Sequence, residues 1–465
     1  MKRIGRLYRL LFCAAAIVII LTIASFFLDK SNLEKDAMIR DAIFPSDFFF
    51  GASTSAHQVE GGANNQWTKW EMENAARLAR EAGPKSNFGG GKDTVPNWEL
   101  IKAEAKNNKN YISGIAVDHY HRYPEDLAIA KALGLNAYRF SIEWSRIEPK
   151  EGIFDLEEIE HYRQMIRAVR SMRMEPFVGL WHWTEPLWFT EKGGWESKDA
   201  PNYFSLYVHK VIEELGNEAR YWIPVNEIEV YSGSSYMLGL WPPQKRNLFA
   251  YNIVTHNLIK AHNVSYQIIK SFNKNAQVGS ALSYTYYKAA SGISKPFNVL
   301  IARLADWHLN HHIRKSIIDY SDFLGLNYYQ RCIIKGTKIF YSKEKVPRSD
   351  MGWELYPQGV LFSLRDLGKY KKPIFITENG LADSQDKYRA WFIRTTLGYV
   401  AQAISEGIDV RGYFHWSLLD NFEWDKGFWP KFGLIYVNRQ TLERTIRPSA
   451  WEYAKIIHEY QEKYK

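Results

Sequence analysis

The chain has 465 residues, 46% hydrophobic and 24% charged, a composition that excludes disorder and admits either one large α/β barrel or two to three ordinary domains. The formal net charge is +9, but Lys2, Arg3, Arg6 and Arg9 supply four positive charges in one N-terminal cluster; no later Lys/Arg run forms a patch, so no nucleic-acid partner is expected. Two cysteines, Cys13 and Cys332, exclude a disulfide framework.

Residues 1–9 form a basic tail, and Leu10 to Leu28 is a run of 19 residues without a charge. That run spans a hydrocarbon core of about 30 Å. Its length exceeds a signal-peptide core and favours an uncleaved anchor, with Thr22-Ile23-Ala24 as the rival cleavage site. Either way the basic cluster stays cytoplasmic and the rest is exported. Residues 29–42 read as a charged tether, and 43–465 as one catalytic domain.

Eight apolar, strand-like runs follow, at Phe48–Gly51, Ala137–Ser141, Pro176–Leu180, Tyr221–Asn226, Val278–Leu282, Asp322–Asn327, Pro373–Thr377 and Val410–Trp416. Amphipathic helical patterns alternate with them, at Pro124–Gly134, Asp155–Met172, Tyr203–Leu215, Ala250–Phe272, Asn298–Ile313, Leu355–Leu367, Tyr388–Glu406 and Ser449–Tyr464. This rhythm predicts a single (β/α)₈ barrel. Residues 61–117 interrupt it as a long βα insertion with a helix-like Trp70–Glu81, placed on the catalytic face and expected to wall the substrate cleft. Gly89-Gly90-Gly91 within it reads as a loop, since no strand leads in and no Gly-Lys-Ser/Thr follows.

Two strands end in carboxylates. Pro373-Ile374-Phe375-Ile376-Thr377 runs into Glu378-Asn379-Gly380, and Tyr221-Trp222-Ile223-Pro224-Val225 into Asn226-Glu227. A charge at a buried strand end is desolvated unless paired, so it is rarely there for stability. Two such carboxylates are the minimum equipment for cleaving a glycosidic bond. His308, His311 and His312 share a helical spacing with nothing to orient them, so no metal site is expected.

Several motifs in this order resemble glycoside hydrolase family 1, the β-glucosidase and β-galactosidase family. They are Phe49 to Gly61, Asp118 to Tyr123, Tyr138 to Arg146, Trp181-His182-Trp183, Val225-Asn226-Glu227, Asn327-Tyr328-Tyr329, Ile376 to Gly380 and Trp416 to Trp424. The resemblance runs from about Ile43 to about Tyr464 and implies a TIM barrel and a retaining double displacement without a cofactor. It implies Glu378 as nucleophile, Glu227 as acid/base, and Arg139 and Tyr329 beside the nucleophile. Gln58, His182, Trp183, Asn226, Glu423 and Trp424 would hold sugar hydroxyls, with Asn327 in the same site and Trp416 beneath the ring. Val225, Ile228 and His57 depart from the family pattern. Glu423 argues against 6-phosphorylated sugars, and the two carboxylates argue against a non-catalytic sugar-binding protein; transglycosylation is the remaining alternative.

Overall fold

The computed structural model describes residues 44–84, 95–292, 294–336, 338–340 and 346–462. The basic tail, the expected anchor at 10–28, the tether at 29–42 and Gly89–Gly91 lie outside these residues. Among the described residues no helix is long and apolar enough to cross a membrane.

Eight parallel strands close into one barrel: β1 (Phe49–Ser53), β2 (Ala137–Ser141), β3 (Glu175–Gly179), β4 (Tyr221–Ile223), β5 (Gln277–Ser283), β6 (Phe323–Asn327), β7 (Ile374–Asn379) and β8 (Val410–Trp416). Sequence neighbours pair throughout, and β8 returns to β1 with Phe50 opposite Tyr413 and Ser53 opposite Trp416. The principal crossover helices are α1 (His119–Ala132), α2 (Leu156–Ser171), α3 (Ala200–Leu215), α4 (Leu248–Phe272), α5 (Lys295–Asp306), α6 (Gly359–Leu367), α7 (Arg389–Ser405) and α8 (Pro448–Glu462).

Side chains alternate across each strand, so one set faces the helices and the other fills the lumen. Ile374 and Ile376 of β7 belong to the outer core, whereas Phe375 joins Phe49, Phe177, Tyr221, Phe323 and Phe414 in a separate cluster inside the barrel. Phe177 and Tyr221 stack with centroids 4.2 Å apart. Gly279 makes room for this layer, because a Cβ there would lie 2.3 Å from the Phe323 ring. The lower lumen is therefore a packed aromatic floor beneath a polar upper layer.

Several boundaries differ from expectation. β4 stops at Ile223 because Pro224 has no N–H to continue the ladder, and pairing resumes only as a bridge between Asn226 and Ala281. α1 starts at His119 rather than Pro124, which lies inside it. The helix expected over Asn298–Ile313 is α5 followed by a π-helical turn, Trp307–His311, and a short helix, His312–Ile317. The wide turn carries Asn310 inward, where its amide donates to the Thr285 carbonyl (2.9 Å) and to Asp306 (2.7 Å). A small sheet of Tyr286–Ala289, Arg331–Lys335 and Lys338–Phe340 and a hairpin of Ile435–Val437 with Arg444–Ile446 were not anticipated.

Phe177→Ala should lower the unfolding free energy by about 3–5 kcal/mol, since it opens a void in a floor that has no solvent to relax into. Denaturant unfolding of the variant checks this, and a loss near zero would mean that the floor is not tightly packed.

Candidate active site

The site grows out of the strand ends above the aromatic floor. Alternation along β2 puts Ala137, Arg139 and Ser141 in the lumen, and along β6 it does the same for Phe323, Gly325 and Asn327. On β7 the same rule would point Phe375 and Thr377 inward and Glu378 outward. The register slips between Phe375 and Glu378 against β6 and between Ile376 and Asn379 against β8. This irregularity re-aims Glu378 into the cavity, the use that bulges commonly find beside functional sites. Gly380 completes the turn, because a Cβ there would lie 1.8 Å from the Trp416 carbonyl oxygen.

Glu378 is held at both oxygens. Arg139 Nη1 donates to Oε1 at 2.5 Å and the Tyr329 hydroxyl donates to Oε2 at 2.7 Å. Arg139 also donates to the Thr377 carbonyl (3.1 Å) and through Nη2 to Asn226 Oδ1 (2.7 Å). With its oxygen turned to the guanidinium, the Asn226 amide nitrogen faces His182 and donates to Nε2 at 3.3 Å, which leaves the imidazole proton on Nδ1. Asn327 donates to Glu227 Oε1 at 2.8 Å and accepts from Thr377 Oγ1 at 2.6 Å. One polar layer thus links five strand ends, those of β2, β3, β4, β6 and β7, and both carboxylates.

Glu227 follows β4 in the left-handed region, with φ 43°, and its N–H donates to the Ala281 carbonyl at 2.7 Å. Burial pushes its carboxyl well above the usual range, and the nearby charges of Glu378 and then Glu229 push the same way. Tyr329 is held well above its ordinary value by burial and by Glu378, so it stays a donor. Burial and Arg139 hold His182 neutral, far below the usual imidazole value. Burial raises Glu423 to about 8, with the charges of Glu378 and Asp425 adding to it.

These groups line a cavity of about 340 Å³. At its closed end stand Gln58, His182, Trp183, Glu423, Trp424 and Trp416; the rings of Trp416 and His182 lie nearly parallel, 5.8 Å apart. Gln58 donates to the Phe422 carbonyl (2.8 Å), to Asn421 (2.9 Å) and to Glu423 (3.3 Å), and so fixes the loop that carries Glu423. The Trp183 indole N–H donates to the Asn226 carbonyl at 3.0 Å, so Trp183 offers the cavity its ring. His57 stacks on Trp424 at 5.5 Å and lies 2.8 Å from Glu71. Toward the mouth the wall turns apolar, with Val230, Met237, Leu238, Leu309, Met351 and Trp353.

The insertion at 61–117 acts differently from expectation. None of its described residues lines the cavity; instead Gln66 and Trp67 both donate to the Trp183 carbonyl, at 2.9 and 3.2 Å, and buttress the wall from behind. Glu229 escaped the sequence reading. It is half-buried, lines the cavity, and its buried Oε2 has no partner. Burial raises it to about 7, against the lowering pull of Arg314. Its signal was a second glutamate one apolar residue beyond Glu227. The histidine trio does not converge: His308 and His312 are exposed, whereas His311 lies 2.7 Å from Asp366 and 3.4 Å from Asp306. Hydrogen bonds to Asp306 and Asp366 raise His311 to about 10.

Residues 40–310 and 307–462 match the family model described as Glycosyl hydrolase family 1. β-Glucosidase A of Thermotoga maritima is 28% identical over 459 residues, covering 89% of this chain and 97% of that protein. A 6-phospho-β-galactosidase of Leptotrichia buccalis is 28% identical over 487 residues, covering 89% and 98%. The solved β-glycosidase from Pyrococcus horikoshii superposes with a TM-score of 0.78 at 32% identity, over 90% of this chain and 96% of the other.

Glu229→Gln should shift the basic limb of the pH profile of kcat/KM to lower pH. The ionised Glu229 raises Glu227, and activity is lost as pH rises through the value of the group that must be protonated, so removing that charge brings the loss earlier. A limb that stays in place or moves upward would mean that Glu229 does not act on Glu227.

Proposed function

Because the chain belongs to glycosyl hydrolase family 1 and is a retaining β-glycosidase, we propose that Glu378 and Glu227 divide its two displacements between them. The observation that carries this assignment is the opposite treatment of two carboxyls facing one cavity. Glu378 is clamped by a guanidinium and a phenol, and Glu227 is kept protonated by burial beside it. Family retention places such carboxyls about 5–5.5 Å apart.

In the first step Glu378 attacks the anomeric carbon while Glu227 gives its proton to the departing oxygen. As charge leaves Glu378 for the new ester bond, Glu227 loses the proton that this charge had helped to hold. It can then act as base toward the water that attacks the glycosyl-enzyme. Arg139 stays fixed through Asn226 and Thr377 across both steps, and Trp416 offers a flat face to the C–H side of a hexose.

The substrate in this reading is a non-phosphorylated β-D-hexoside. A phosphate dianion would meet Glu227, Glu229, Glu378, Glu423 and Asp425 in the cavity, and the lining Lys426 already lies 2.7 Å from Asp425. The uncharged run Leu10–Leu28 after a basic cluster supports a further reading, an anchor that leaves the barrel outside the cytoplasm. Protease added to intact cells should release an active fragment lacking that run; activity confined to the cytosol would contradict it.

Glu227→Ala tests the assignment. A dinitrophenyl glycoside departs with little protonic help, so glycosylation should slow far more for cellobiose than for the activated substrate. Added azide should then restore turnover of the activated substrate and yield the β-glycosyl azide, since two inversions retain configuration. Equal losses on both substrates with no azide product would make Glu227 structural.

A further inference from the structure

α5 is an amphipathic helix turned inside out. Its inner face carries Asn298 and Ala302; Asn298 donates to the Ala290 carbonyl (3.0 Å) and accepts from the Gly336 N–H (2.8 Å), tying the helix to the small sheet. Its outer face carries Phe297, Leu300 and Leu304, continued by Trp307 in the π-helical turn. The spacing of three to four residues forms a single stripe, and each of the four is between 50% and 54% exposed. Scattered exposed apolar residues need no explanation, but four in one stripe on a well-anchored helix do.

The surroundings say what covers the stripe. Residues 284–319 hold five Lys or Arg, of which Arg314 is buried, against two acidic residues, Asp306 and Asp319. Asp306, half-buried, accepts from Asn310 and lies 3.4 Å from His311. Lys295, Arg303 and Lys315 flank the stripe, and of these Arg303 and Lys315 are exposed. An apolar face with cations along its edges matches an anionic bilayer surface, where the rings and leucines enter the acyl boundary and the cations meet phosphates. Leu309, two residues beyond Trp307, lines the catalytic cavity together with Leu238, which is itself 46% exposed. The stripe and the apolar wall of the cavity thus lie on opposite faces of the same turn. The tether at 29–42 reaches at most about 50 Å, enough for a barrel entered at Phe44 to lean onto its side.

We propose that Phe297, Leu300, Leu304 and Trp307 dock this face of the barrel onto an anionic lipid surface and so bring the enzyme to glycosides resident in that surface. Docking itself does not depend on the glycosidase reading; only the choice of lipid-borne glycosides as substrates rests on it.

The test uses the full-length chain and its Trp307→Phe variant, mixed with phosphatidylcholine vesicles that do or do not contain phosphatidylglycerol, in matched sets with brominated acyl chains. The other sixteen tryptophans are common to both proteins, so the emission difference between them reports Trp307. Bromine should quench that difference emission, more strongly with phosphatidylglycerol present. Absence of quenching overturns the proposal. So does a Trp307 that bromine does not reach but that becomes shielded from iodide as protein concentration rises, which would assign the stripe to contact between copies.

A second arm uses the double variant Leu300→Ser, Leu304→Ser. It should retain turnover of a soluble nitrophenyl glycoside while turnover of dodecyl β-glucoside embedded in the vesicles falls roughly tenfold. Equal rates of the double variant and the wild type on the embedded substrate, or equal losses on both substrates, would count against docking. Because the quenching arm needs no turnover, failure of the glycosidase reading would leave its result intact.

Discussion

The site depends on one buried ion pair, Arg139 with Glu378. A guanidinium taken out of water in the barrel lumen is strongly disfavoured unless its donors are used, and here they are shared among Glu378, Thr377 and Asn226. Removing either partner of such a pair typically costs about 3–5 kcal/mol, because the other is left charged and buried. The same contacts fix the Asn226 amide, which fixes the His182 tautomer, and Asn327 links this network to Glu227. The positions of Glu378 and Glu227 and the state of the His182 imidazole are thus consequences of where one arginine sits.

That network persists because the rest of the barrel is conventional. The aromatic floor and the outer core contain the apolar burial, and three of the ten non-glycine residues with positive φ among the described residues stand at the site. Trp183, Glu227 and Trp424 all adopt positive φ, at 71°, 43° and 52°. Each such residue costs about 1–3 kcal/mol. Their neighbours hold them in place: the Trp183 carbonyl by Gln66 and Trp67, its indole by Asn226, and the Glu227 N–H by Ala281. The insertion at 61–117 therefore contributes to the site as a buttress.

Much of this was legible in the sequence. The eight apolar runs gave all the barrel strands to within a few residues, and the two strand-end glutamates stood out because charge at the end of a buried run is unfavourable without a purpose. What stayed hidden depended on register and on tertiary contact. The irregularity that turns Glu378 inward involves two neighbouring strands and leaves no mark in β7 itself. The π-helical turn at Trp307–His311 arises from Asn310 reaching Thr285, a contact between segments 25 residues apart. The small sheet beside α5 pairs segments whose partners a local pattern cannot name. Glu229 was visible as a residue but not as part of the cavity wall, since only the fold places it there and leaves its Oε2 without a partner. The segment 10–28 was read from sequence alone and lies outside the described residues.

The central claim is that Glu378 forms the covalent bond to the sugar. A 2-deoxy-2-fluoro β-glycoside with an activated leaving group slows hydrolysis of the glycosyl-enzyme more than its formation, so the intermediate accumulates and can be located by peptide mass spectrometry. The account predicts one sugar attached within the peptide containing Thr377-Glu378-Asn379, at Glu378, and no label in the Arg139→Ala protein at the same exposure. A sugar found on Glu227, Glu229 or Glu423, or inactivation without any covalent label, would contradict it.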